Sequence, residues 1–324
     1  MQSRLAIVSL ITLLCGTPNA PAQTYPARPI TMVVPFAAGG PVDTVARILS
    51  APMAKSLGQT VLVENTVGAG GSLGVGRVAR AAPDGYTVSI GHWSTHVVNG
   101  AVYALNYDLL KDLEPVAMIG GNAMLVVSKA AVPAKNLGEL IAWVKANEAK
   151  VNVGTAGPGS GTHVSGVYFQ NAIGARFQFI PYKGTGPAMQ DLIGGRIDLI
   201  VDQMSNSMPQ VRGGKIRAYA ITAKMRSPAA PDIPTVDEAG LPGFHMSIWY
   251  GTWVPRGTPK AAVARLNGAI VESLADANAR KRLGDLGVEI VPREQQTPEA
   301  LGAHHKAEIE KWWPMIKAAG IRVE

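Results

Sequence analysis

Apolar positions along this chain switch repeatedly between two periods. Short β-branched runs fall at residues 31–35, 60–64 and 87–91, the last after the Pro83-Asp84-Gly85 turn. Between them lie stretches of helical spacing. Residues 43–55 place Val45, Ile48, Leu49 and Met53 on one side, and residues 72–81 follow the same period. Residues 114–119 and 123–128 read as two strands separated by a Gly120-Gly121 break.

A second block repeats the alternation. It predicts helices over 137–147, 162–173 and 187–193, and strands over 151–155, 177–181, 197–202 and 216–222. Strands alternating with helices of this length imply βαβ units and mainly parallel sheets, an α/β fold. The last third differs. Residues 228–242 are loop-like and rich in proline, 248–254 read as a strand, and 260–275, 277–286 and 298–319 read as helices with no strong strand after them. Late helices without new strands pack back onto an earlier sheet. The expected organisation is therefore a first lobe of residues 23–123 plus 222–324, with residues 124–221 inserted as a second lobe and a cleft between them.

The first 22 residues stand outside this pattern. Arg4 precedes an apolar run from Leu5 to Leu14, too short to span a bilayer, and Ala20-Pro21-Ala22 has the small-x-small form of a signal-peptidase site. An exported, periplasmic protein beginning near Gln23 is expected. Lipidation at Cys15 is the alternative, but the bulky Leu13 and Leu14 before it speak against an anchor. Cys15 is the only cysteine, so a chain cleaved after Ala22 has neither a disulfide framework nor a cysteine-bound metal.

Losing Arg4 leaves 29 Lys+Arg of the original 30 against 23 acids, a net charge of +6. The basic residues are interspersed with acids rather than run together. A soluble basic surface is expected, with no nucleic-acid partner, and its field would favour an anionic ligand.

Five polar or glycine-rich segments fall where strands give way to helices, the place where open α/β sheets bind ligands. After the first strand come Phe36, Ala37, Ala38, Gly39 and Gly40, whose backbone can approach a ligand closely, and then Asp43, read as an N-cap. The turn lacks the Gly-Lys-Ser/Thr ending of a nucleotide P-loop. The second segment is Gly91-His92-Trp93-Ser94-Thr95-His96. Ser94 and Thr95 can cap a helix or donate to a carboxylate, and His92 and His96 have the spacing of a metal pair without the acid that usually accompanies it. The third, residues 155–163, offers Gly159, Ser160 and His163 as donors. The fourth, 181–186, offers Lys183 to an anion. The fifth ends in Asp202 and Gln203, where the acid could order water, bind a ligand amine or hydroxyl, or cap the next segment. No metal, cofactor or catalytic residue is expected. Gly70-Gly71-Ser72-Leu73-Gly74 imitates a nucleophile elbow, but the nearest strand ends too early and no histidine lies in a catalytic-looking turn, so a secreted serine hydrolase is the weaker alternative.

From Tyr25 to Glu324 the chain resembles the tripartite tricarboxylate transporter receptors, the Bug solute-binding proteins. The resemblance is carried by YPARPITMVVPFAAGGPVDTVAR, ENTVGAGGSLG, the PDGYT turn, YDLLKDLEPV, PYKGTGPAMQDLIGGRIDL, IPTVDEAGLPGF and EKWWPMIKAAGI, all in order. It implies a two-lobed periplasmic-binding-protein fold and a separate membrane permease; a monomer without enzymatic activity is expected. A sensor presenting ligand to a signalling kinase would use the same fold. It further implies that a ligand carboxylate is met by the turn at Phe36 to Gly39, partly through water, and from the opposite side by Gly157 to His163. Ser94, Thr95 and Asp202 would line the variable part of the cleft. Two positions depart from the family pattern. Ala38 stands where a proline is common, and Trp93 where a small residue is common, which suggests a ring that narrows the cleft or stacks on a planar ligand.

Overall fold

The computed structural model describes residues 25–318, 320 and 321. The leader and the Cys15 alternative lie outside the described residues. The strands are β1 (Ile30–Val34), β2 (Val61–Asn65), β3 (Thr87–His92), β4 (Leu113–Lys129), β5 (Asn152–Thr155), β6 (Gln178–Pro181), β7 (Leu199–Gln203), β8 (Ile216–Ile221), β9 (Ser247–Pro255) and β10 (Glu289–Ile290). The helices are α1 (Pro41–Leu57), α2 (Ser72–Ala79), α3 (Asn99–Val102), α4 (Leu137–Ala146), α5 (Gly161–Ile173), α6 (Thr185–Ile193), α7 (Met204–Arg212), α8 (Lys260–Ala275), α9 (Ala277–Asp285) and α10 (Pro298–Ala318).

The strands run in the order β2-β1-β3-β9-β4-β7-β5-β6, with β8 and β10 also on β4. The outer strands are parallel, as expected: β2, β1 and β3 at one end, β7, β5 and β6 at the other. The middle is not. β9 and β4 run antiparallel to their neighbours, so each half of the sheet is mixed. β4 is shared. It pairs with β9 from Leu113 to Ala123, then with β7 from Met124 to Ser128 and with β8 from Leu125 to Lys129.

The expected break at Gly120-Gly121 is instead a bulge within a 17-residue strand. Gly120 has φ +153°, and a Cβ there would run into the Glu289 carbonyl of β10, which pairs with β4 at this point. The two glycines therefore admit β10 rather than end the strand.

Helices form where an apolar face meets a sheet. α1 opens with Pro41 at its first position and closes on Gly58 in the left-handed region. It packs Val45, Ile48 and Leu49 with Ile30, Met32 and Val34 of β1 and with Leu266 and Ile270 of α8. The late helices α8 to α10 do return to the first sheet half, with α10 against β4 and the Ser94–Val98 turn. In the second half, Ala188, Met189 and Leu192 of α6 and Met204 and Met208 of α7 cover Leu125, Val127 and Ile200. α7 forms despite Pro209 because this buried face outweighs local propensity. Among the described residues no helix is long and apolar enough to cross a membrane.

If close approach at Gly120 is what holds β10 against β4, Gly120→Ala should destabilise the protein by roughly 2–3 kcal/mol. Urea denaturation followed by circular dichroism measures this; an unchanged midpoint would remove the constraint assigned to Gly120.

Candidate functional site

The carboxyl ends of β1, β3, β5, β6 and β7 all open toward one cleft, and the turns after them meet across it. The Ala37 N–H donates to the Lys183 carbonyl at 3.1 Å, and the Tyr103 hydroxyl donates to the Pro158 carbonyl at 2.5 Å. The backbones approach closely: a Cβ on Gly186 would lie 2.9 Å from the Ala38 carbonyl and 3.1 Å from the Gly40 nitrogen. The two halves are thus in contact around a small enclosed space.

That space, about 10 Å³, has room for about one water-sized group. Pro41 and Val42 of α1, Ser160 and Thr162 at the start of α5, and Thr185 of α6 line it, together with His92 and Gln203. Three helix N-termini therefore converge on one point. The first-turn N–H groups of a helix have no intrahelical partner, and each terminus carries partial positive charge. Phe36 and Ala156 separate this space from an outer cleft of about 510 Å³, which Gly70, Pro158, Tyr182 and Lys183 also line. The arrangement suits an anionic group held inside by neutral donors, with the rest of the ligand extending outward.

The titratable groups around it are held in defined states. Burial opposes ionisation of Asp43, but hydrogen bonds from Arg47, the Gly39 N–H and Asn65 outweigh it and keep its pKa below the usual carboxylate value. Asp43 is thus not the N-cap, which is Gly40. It sits at the third helical position and reaches back to the turn. Asp202 is fully buried, and burial raises its pKa to about 6 although Ser207 and Asn206 each donate to it at 2.7 Å. His92 is buried and neutral, its pKa lowered by burial to about 4.

The residues expected at the site separate into groups. Phe36 and Ser160 line the inner space, and Phe36 and Lys183 the outer cleft. Ala38 and Gly39 face a different crevice, of about 550 Å³, with Asn206 and Gln210. Ser160 is the N-cap of α5, accepting from the His163 N–H at 3.3 Å, and the Gly159 N–H donates to His163 Nδ1 at 3.2 Å; His163 itself packs edge-on against Phe179. Ser94 and Thr95 act one step back. The Ser94 N–H donates to His92 Nδ1, and Thr95 Oγ1 bridges the His92 N–H and carbonyl. Asp202 lies behind Gln203, bonded within its own turn.

Trp93 corrects an expectation. Its ring is buried and lies edge-on to Trp312 of α10 at 4.9 Å, in the hydrophobic core rather than in the cleft. His92 ends β3 and faces the cleft while Trp93, the next residue, faces the core, as successive residues along a strand do; a π-helical turn, Ser94–Val98, follows. His92, Thr162, Thr185 and Gln203 are polar residues of the inner space that were not expected to contact a ligand; His92 stands out in the sequence only through its metal-like spacing to His96, and Gln203 only as part of a polar strand end.

Neither alternative chemistry assembles. Ser72 opens α2 without a hydrogen bond to any histidine among the described residues. His96 stacks on Trp253 at 3.5 Å instead of joining His92, and among the described residues no cluster of three or more His, Cys, Asp or Glu could hold a metal.

Comparison with known proteins gives a consistent picture. The sequence model of the tripartite tricarboxylate transporter family receptor matches residues 45–321. The chain is 41% identical over 320 residues to the UPF0065 protein in the TAR-I ttuE-ttuC' intergenic region of Agrobacterium vitis, covering 99% of this chain and 92% of that protein. Among solved structures, the periplasmic binding protein BugD superposes with a TM-score of 0.89 at 41% identity, over 92% of this chain and 100% of that one. MatC from Rhodopseudomonas palustris, with bound malate, gives 0.87 at 42% identity, over 90% and 100%.

The buried histidines make stability depend on pH. Burial lowers His92 and His305 to about 4 and holds His96 well below 6.5. Between pH 6.5 and 4 the unfolded chain binds these protons and the folded chain does not, so stability falls as pH falls through this window. Asp202, raised from 3.8 to about 6, acts in the opposite direction over the same range. Three histidines outweigh one carboxyl, and unfolding near pH 5 should take up on the order of two protons. Urea unfolding at a series of pH values reads this; stability that is flat or rises from pH 6.5 down to 4.5 would contradict the assignment.

Proposed function

The chain belongs to the tripartite tricarboxylate transporter receptor family, and from that premise we propose that it is a periplasmic receptor that captures a small carboxylate between its lobes and delivers it to a membrane permease. The observation that carries this reading is the convergence of three helix N-termini on one enclosed space. A carboxylate at its mouth would place one oxygen in this space, among backbone N–H groups, the Thr185 hydroxyl and the Ser160 cap, without a buried cation. Each charge-assisted hydrogen bond contributes roughly 1.5–3 kcal/mol, so four or five of them, less desolvation and ordering, support micromolar affinity at about −8 kcal/mol. The malate bound to MatC supports a small organic acid of this kind.

Capture proceeds by hinge closure of residues 23–123 plus 222–324 against 124–221. The pairing of β4 supports this division, since it exchanges β9 for β7 between Ala123 and Met124. At the same level the Met124 N–H donates to Thr222 Oγ1 at 2.9 Å, the Thr222 N–H donates to the Met124 carbonyl at 2.9 Å, and Thr222 Oγ1 donates to the Met246 carbonyl at 2.5 Å. Three chain crossings are tied at one place, which suits a hinge with short, ordered strands. The permease reads the closed form, and the ligand drives closure only as far as it binds that form better.

A thermal-shift screen across organic acids, followed by titration calorimetry, tests the reading. At least one carboxylate should raise the melting temperature and reduce the radius of gyration in small-angle scattering. Thr185→Val, which keeps the shape and removes the hydroxyl, should weaken that acid by about tenfold. Tight binding without compaction would refute hinge capture, and no response to any organic acid would refute the receptor reading.

A further inference from the structure

Two polar side chains face the inner space from opposite halves with their outward atoms unclaimed. They are His92 at the end of β3 and Gln203 at the end of β7, exposed by only 2% and 4%. The proton of His92 can be located. The Ser94 N–H donates to its Nδ1 at 3.2 Å, so Nδ1 holds the lone pair and the neutral ring carries its hydrogen on Nε2. Phe36 stacks on the ring at 5.2 Å and Tyr250 meets it edge-on at 6.2 Å, fixing its direction. Nε2 makes no hydrogen bond among the described residues. On the other side, the Tyr250 hydroxyl occupies Gln203 Oε1, which leaves the amide NH₂ as the free end.

Each of the two side chains thus presents an N–H end toward the space from its own half of the molecule.

We propose that His92 and Gln203 form a neutral donor pair that reads an oxygen acceptor on the inner part of the ligand. This rests on the carboxylate-receptor reading above and narrows it. His92 and Gln203 belong to different halves, so an oxygen bridging them also favours the closed form.

The test uses the intact protein with succinate, malate, adipate, benzoate and aspartate in titration calorimetry, on the wild type, His92→Phe and Gln203→Leu. Imidazole ¹⁵N spectra of the unliganded wild type report the tautomer without any ligand. The expected results are an Nε2–H tautomer at His92 and a roughly 10- to 100-fold loss in each variant for the acid that the wild type binds most tightly. An Nδ1–H tautomer, or a folded variant of unchanged affinity, would overturn the donor pair while leaving the receptor reading in place. Failure of every acid to bind the wild type would overturn the receptor reading, and the donor pair with it.

Discussion

The shared strand β4 is the constraint on which the rest of the structure depends. One 17-residue segment contributes its first part to one set of strands and its last part to another. Because it is continuous, the two sheet halves cannot be placed independently. Their parallel portions lie on either side of it, and the carboxyl ends of those strands come to face a common cleft. A helix follows β1, β5, β6 and β7, so the same placement that aligns strands also aims positive helix termini at one point. The site is thus a consequence of topology before it is a matter of particular side chains.

The side chains then decide what kind of anion site this is. None of the residues lining the inner space is a lysine or arginine; Lys183 stands at the outer cleft. A buried cation would bind an anion strongly but would have to be desolvated whenever the cleft closed empty. Backbone N–H groups, hydroxyls and a neutral imidazole carry smaller solvation penalties, and their binding strength grows by number and orientation. Burial is the chief reason His92 stays neutral, so the same packing that shapes the space sets its electrostatics.

Much of this was legible from the residue pattern, and the failures have identifiable causes. α8 was expected at the bounds it adopts, and β9 and α9 within one residue at an end, because long amphipathic stretches with clear ends carry their own signal. The Gly120-Gly121 pair was misread as a break because glycine marks turns and close backbone approaches alike, and only the distant β10 distinguishes them. α7 was missed because Pro209 speaks against a helix locally while Met204 and Met208 are held by tertiary packing. Asp43 was expected one role away from its actual one: it serves the turn from inside the helix, with Arg47 and Asn65 as partners. All five segments singled out as polar turns did come to the cleft region, yet which residue in each one faces inward was not readable. Trp93 and His92 are adjacent and point to core and cleft respectively, and which of the two faces inward is set by the register of β3 against its neighbours.

That last point bears on how specificity arises in this architecture. In the receptor proposed above the helix termini would recognise any carboxylate, and their geometry follows from the shared strand. Discrimination has to come from the few strand-end side chains that reach the inner space, and those are oriented by neighbours that never touch the ligand. The Ser94 N–H determines which nitrogen of His92 bears the proton, and the Tyr250 hydroxyl holds the Gln203 amide in place. Substituting such a neighbour would change what the site accepts without altering its shape. A receptor on this scaffold can therefore acquire a new ligand preference through the hydrogen bonds behind its lining residues, while the anion-binding termini and the hinge stay as they are.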